Sequence, residues 1–141
     1  MSSGDFALDL ADPAQSGVYQ VDTTDLDTLA ALARAAGLRT LRVDLAGCGD
    51  KRTLLLRLAT QLDFPNGFGR NWDALADALR DLAWLPSPGG YALLLDGLET
   101  LAAAAPADRD SLLDILDEAA SSWAARGRSF AAFIAPANAC G

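Results

Sequence analysis

Tyr91-Ala92-Leu93-Leu94-Leu95 is an unbroken apolar run. A strand with no polar alternation is buried on both faces, as in a parallel sheet covered by helices on either side. The linker Pro86-Ser87-Pro88-Gly89-Gly90 isolates this run from what precedes it. Downstream, Leu98 to Ala105 reads as a short helix stopped by Pro106. Ala107 to Arg126 then reads as a long amphipathic helix closed by Gly127, with Leu112, Leu116, Ala119 and Trp123 facing inward. Ser129 to Ala135 (SFAAFIA) is a last apolar strand, ended by Pro136. Upstream, Leu38 to Leu45 alternates, with Leu41, Val43 and Leu45 on one face. After a Gly-Cys-Gly turn, Asp50 stands as a helix N-cap before the stripe Leu54, Leu55, Leu58, Ala59 and Leu62. A tight loop over 63–70 follows, and Asn71 is placed to cap a helix running to about Ala83. Further upstream, Gly17 to Val21 is a short strand, and Leu26, Leu29, Ala30, Ala33 and Ala36 form a helical stripe ended by Gly37.

Strands separated by helices require crossover connections, which argues for an α/β fold built on a small parallel sheet. The expected organisation is one domain over 17–135, preceded by a flexible lead-in over 1–16 and followed by a tail over 136–141.

The 141 residues carry 19 acidic and 11 basic side chains, a formal net charge of −8, and 51% hydrophobic residues. That is enough apolar material for one real core and too much for a disordered acidic tail. No apolar run approaches the roughly 18–20 residues that a membrane helix needs. The N-terminus has neither a basic nor an apolar signal region, so a cytoplasmic location is expected. With no histidine in the chain, His-based nucleophile systems and His-ligated metal sites are excluded. Cys48 and Cys140 are too few for a zinc site, and free thiols suit a reducing compartment. No cofactor or metal is expected. Net negative charge disfavours contact with nucleic acid and favours a basic protein partner.

The helix beginning at Asn71 carries the most information. Trp72, Leu75, Ala76, Leu79, Leu82 and Ala83 fall on one flank, the core side, while Asp73, Asp77, Arg80 and Trp84 gather on the other. Asp73 and Asp77 are four residues apart, so two like charges stack on one exposed face at a cost of roughly 0.2–0.5 kcal/mol. A solvated face explains Asp73, which the helix dipole favours in the first turn. Asp77 lies deeper, where that help has faded.

The loop Phe64–Arg70 has two glycines before a helix N-terminus but lacks a phosphate-loop pattern, so it reads as a helix–helix turn; a protein-binding reading adds an exposed Phe68 at its tip. Nothing near Cys48 suggests a catalytic thiol. Asp114, Asp117 and Glu118 spread over the outer face of the long helix, where a solvated surface accounts for them.

The stretch 62–79, LDFPNGFGRNWDALADAL, resembles the barstar family of intracellular ribonuclease inhibitors, whose binding loop and following helix carry the same pattern. Pro65, Gly69, Asn71, Asp73, Ala74, Leu75 and Asp77 match position by position, and the element order matches from Leu41 to Ala135. The resemblance implies three core strands packed against helices. Residues 17–37 are then an added strand–helix unit, which extends the sheet at an edge or packs beside it. It also implies that the protein binds a ribonuclease and covers its active site; the expected partner is a basic secreted or toxin ribonuclease, and the expected state of the free protein is a monomer. Asp77 resembles the aspartate that enters the enzyme's phosphate pocket, and Asp73 the neighbouring acid that pairs with basic groups. Gly69 and Asn71 resemble loop positions in the interface, and Glu118 a peripheral acid on the later helix. Departures are also present. The family's aromatic pair is here Gly67-Phe68, so only one ring remains, and Ala76 stands where the family's reference inhibitor has a tryptophan. A second acid near the end of the long helix has no counterpart around Ala124–Arg126.

Two other classes of function fit the residues alone. One is a small ligand-binding or hydrolytic domain, which requires a concave pocket holding Asp73, Asp77 or Glu118 with perturbed titration. The other is an adaptor for a basic partner that is not an enzyme.

Overall fold

The computed structural model describes residues 9–65, 67–69 and 71–136. Among these, four strands and five helices follow in the order β1 (Gly17–Gln20), α1 (Leu26–Ala35), β2 (Arg39–Asp44), α2 (Lys51–Gln61), α3 (Trp72–Asp81), β3 (Gly90–Asp96), α4 (Glu99–Ala104), α5 (Pro106–Ala125) and β4 (Ser129–Ile134). The strands form one all-parallel sheet in the order β1-β4-β3-β2. The added strand therefore extends the sheet at its β4 edge, with Gly17 opposite Ala131 and Gln20 opposite Ile134.

The apolar runs of β3 and β4 are explained by their central position. Tyr91, Leu93 and Leu95 of β3, with Phe130, Ala132 and Ile134 of β4, enter the larger core with Leu54, Leu55 and Leu58 of α2, Leu75 and Leu79 of α3, Leu101 of α4 and Leu112, Leu116 and Trp123 of α5. The intervening Ala92, Leu94, Ala131 and Phe133 point to the opposite face, where Leu26, Leu29, Ala30 and Ala33 of α1 cover them. One sheet thus carries four helices on one face and α1 alone on the other. β2 is an edge strand and keeps the alternation expected of one covered face, with Val43 buried between exposed Arg42 and Asp44. Its open edge is closed by the side-chain amide of Gln61: Asp44 N–H donates to Gln61 Oε1 at 2.8 Å, and Nε2 donates to Asp44 O at 2.9 Å.

Several expectations are corrected. Residues 9–16 are not a loose lead-in. Leu10 is buried in the smaller core, Pro13–Gln15 form a 3-10 turn capped by Asp12, and Ser16 Oγ accepts from Phe130 N–H at 3.0 Å. Residues 1–8 and the tail residues 137–141, with Cys140, lie outside the described residues. Pro106 does more than stop α4, because it begins α5 at a first-turn position where its missing N–H costs nothing. α3 ends at Asp81 and not at Ala83, since Leu82 adopts a left-handed conformation (φ 49°) and leaves Ala83 exposed.

Asp50 caps α2 as expected, accepting from Thr53 N–H at 2.7 Å, and this hydrogen bond holds its carboxyl below the ordinary value. Cys48 is a buried free thiol, and burial pushes its pKa up. No helix among the described residues is long and apolar enough to cross a membrane.

Candidate functional site

The site is built on the turn from α2 into α3. α2 unwinds where Asp63 takes a left-handed conformation (φ 56°), and Phe64 N–H folds back to Ala59 O at 2.9 Å. Gly67 has φ +93° with open space around it, so glycine is required there for its backbone angle alone. Gly69 sits in tighter quarters. A Cβ there would stand 3.2 Å from Asn71 Nδ2 and 3.4 Å from Ala74 Cβ, pressing on the helix cap. Asn71 begins α3 by accepting from Ala74 N–H at 2.7 Å, while its Nδ2 donates to Gly69 O at 3.3 Å. These bonds give Gly69 and Asn71 a structural role in addition to the interface role that the resemblance implies.

α3 is clamped to the core by Leu75 and Leu79, both fully buried, and by Trp123 of α5, whose Nε1 donates to Leu79 O at 2.8 Å. Asp73 and Asp77 are therefore held on the outward face of a fixed helix, and both are exposed. Of the added unit, β1 lies in the sheet and α1 packs against its opposite face, so Asp73 and Asp77 stay exposed. Asp77 pairs with Arg80 across one turn, Oδ1 to Nη2 at 2.5 Å. Ala76 is half-buried and packs on the core, as its flank predicts. Trp72 is also half-buried, with Lys51 Nζ 5.4 Å from its ring centroid.

Two aromatic residues differ from expectation. Phe68 is half-buried and not a free loop tip, because its ring stands edge-on to Phe64 with centroids 4.7 Å apart. Trp84 leaves the outer face of the helix. The left-handed Leu82 redirects the chain, so that Trp84 packs on Phe64 at 5.5 Å and its Nε1 donates to Leu62 O at 3.0 Å. The three rings pack against one another and against the core.

Between this loop and α3 lies an open groove of about 330 Å³ lined by Phe68, Gly69, Ala74, Asp77, Asp81 and Trp84, among others. The structure therefore brings Asp77, Phe68 and Gly69 together. Asp73 and Glu118 are exposed outside the groove. Asp81 and Trp84 as groove walls were not anticipated from the sequence. Asp81 continues the four-residue spacing of Asp73 and Asp77, which was a readable signal, whereas the position of Trp84 depends on the backbone angle at Leu82.

Asn71→Ala is expected to destabilise the free protein by about 1 kcal/mol through loss of the cap, and Asn71→Asp to retain most of that stability. Urea denaturation of the three proteins checks this, and an unchanged midpoint for the alanine variant would contradict it.

The groove is shallow, and the Asp77 side chain is 75% exposed. A carboxylate so open to water is not enclosed by the concave pocket that a ligand-binding or hydrolytic site requires. A rigid, outward-facing pair of acids suits binding better than chemistry. No curated protein matches the chain. The family model described as barstar (barnase inhibitor) matches residues 38–135, from the start of β2 to the end of β4. That match spans well over half of the sequence, and with it the chain belongs to the barstar family, whose members are non-enzymatic inhibitors.

Proposed function

We propose that this protein inhibits a barnase-type ribonuclease by inserting the α3 carboxylates into the enzyme's basic, phosphate-binding cleft. The observation that carries this reading is the exposed Asp73–Asp77 pair on a capped helix locked to the core by Leu75, Leu79 and Trp123. Charge-assisted hydrogen bonds from arginine to such carboxylates belong to the strong class. The helix fixes both groups before binding, so little ordering entropy is lost. The like-charge repulsion that slightly weakens the free helix becomes attraction once basic groups occupy the face.

Phe68 and Gly69 form the loop side of the contact, Asn71 and Ala76 flank the acids, and Glu118 meets basic groups at the periphery. The half-buried Phe68 offers one ring edge to the enzyme's cleft. The protein is a monomer when free and works in the cytoplasm, where Cys48 stays reduced.

The test is a titration of RNA cleavage by barnase with the purified protein. Stoichiometric loss of activity is expected, and full activity in the presence of excess protein would overturn the reading. Association is also expected to slow markedly as salt rises from about 0.05 to about 0.5 M, because the formal charge of −8 steers a basic enzyme only while screening is weak. Stopped-flow association rates check this, and a salt-independent rate would count against electrostatic steering.

A further inference from the structure

We propose that Arg80 is a built-in counter-charge that holds the affinity of the Asp77 carboxylate for enzyme cations below what the scaffold permits. The inference rests on the inhibitor reading above. Arg80 Nη2 lies 2.5 Å from Asp77 Oδ1, and the Arg80 side chain is itself 46% exposed, so both partners stand at the surface that the enzyme would cover. The turn that carries Arg80 is not free to fray away. Its backbone carbonyl accepts from Arg126 Nη2 at 2.7 Å, and the Arg126 guanidinium is itself seated 3.8 Å from the centroid of the Trp123 ring. Trp123 in turn holds Leu79 O. The backbone that carries Arg80 is therefore held in place, and a cation approaching Asp77 meets the Arg80 guanidinium already paired with its target.

Two opposite effects are conceivable, and physical scale decides between them. Arg80 orders the Asp77 side chain, which has only two torsions and already stands on a clamped helix, so this contribution is small. It also repels an incoming guanidinium, and that repulsion grows as the interface excludes water. Repulsion wins, and removing Arg80 tightens binding.

The experiment compares wild type, Arg80→Gln, Asp77→Asn and the double variant for binding to barnase by calorimetry and stopped flow. Glutamine keeps the helix propensity and much of the length of the side chain. Arg80→Gln is expected to bind roughly two- to fivefold tighter, the scale of an exposed ion pair. The gain should shrink at high salt, and it should vanish in the Asp77→Asn background if it acts through that carboxylate. Equal or weaker binding by Arg80→Gln, beside a wild type that inhibits, overturns this inference and leaves the inhibitor reading standing. A wild type that does not bind barnase overturns the inhibitor reading and this inference with it.

Discussion

Asp77→Ala is expected to weaken binding to the ribonuclease by at least ~2 kcal/mol, the level that marks an interface hot spot, or about thirtyfold in Kd. The size follows from what is left behind. The enzyme's cation would remain in a closed interface without its partner, and an unpaired buried charge costs more than the pair itself is worth. The fold should be unaffected, because Asp77 is 75% exposed and its ion pair to Arg80 is a surface contact. Asp77→Asn is the sharper probe, since it keeps the shape and removes only the charge. Titration calorimetry against barnase, with a thermal melt of each variant, checks both halves. An affinity equal to wild type would sink the assignment of Asp77, and a collapsed melt would show that the helix needs the carboxylate for folding.

The second large effect concerns the added N-terminal unit, which lies outside the family match at 38–135. A protein beginning at Leu38 is expected to lose cooperative unfolding, because Ala92, Leu94, Ala131 and Phe133 would lose the cover of α1. Phe133→Ala grades the same effect. Its side chain is fully buried, and Tyr19 of β1 stacks on it at 5.6 Å. A Phe-to-Ala change at such a site costs about 3–5 kcal/mol, a large part of the 5–15 kcal/mol that holds a typical domain together. Urea denaturation followed by circular dichroism checks both. A truncated chain that unfolds at the wild-type midpoint would show that the unit is an ornament on a self-sufficient core.

The two predictions concern opposite faces of one sheet. The match to the barstar family covers α2 to α5 and the sheet face they pack on, while α1 of the unmatched segment covers the other. Residues that make β3 and β4 apolar on both sides thus commit this chain to carrying β1 and α1. A sheet with one face open to water would have needed polar residues where Leu94 and Phe133 stand.

Most elements were legible because each obeys a local rule. The apolar run at 91–95, the caps Asp50 and Asn71, and the helical stripes all draw their signal from neighbours within a few residues. So did the exposed pair Asp73 and Asp77, whose outward direction follows from the buried positions of Leu75 and Leu79 on the same helix. The misreadings have two causes. Ala83 and Trp84 were assigned faces by continuing a helical period past Asp81, and the left-handed Leu82 broke that period. Leu10 and Ser16 looked like lead-in because the partners that order them, the α1 core and Phe130, are distant in sequence.

By itself, then, the sequence determined the order of strands and helices, the parallel α/β class and the acidic face of α3, since periodicity, capping and charge spacing are short-range properties of the chain. Only the tertiary structure decided that β1 docks beside β4, that Phe68 and Trp84 close on Phe64 to wall a groove, and that Arg126 pins the turn carrying Arg80. Those outcomes depend on which surfaces meet across the fold, and no local pattern encodes which distant group will supply a missing hydrogen bond or fill a given apolar face.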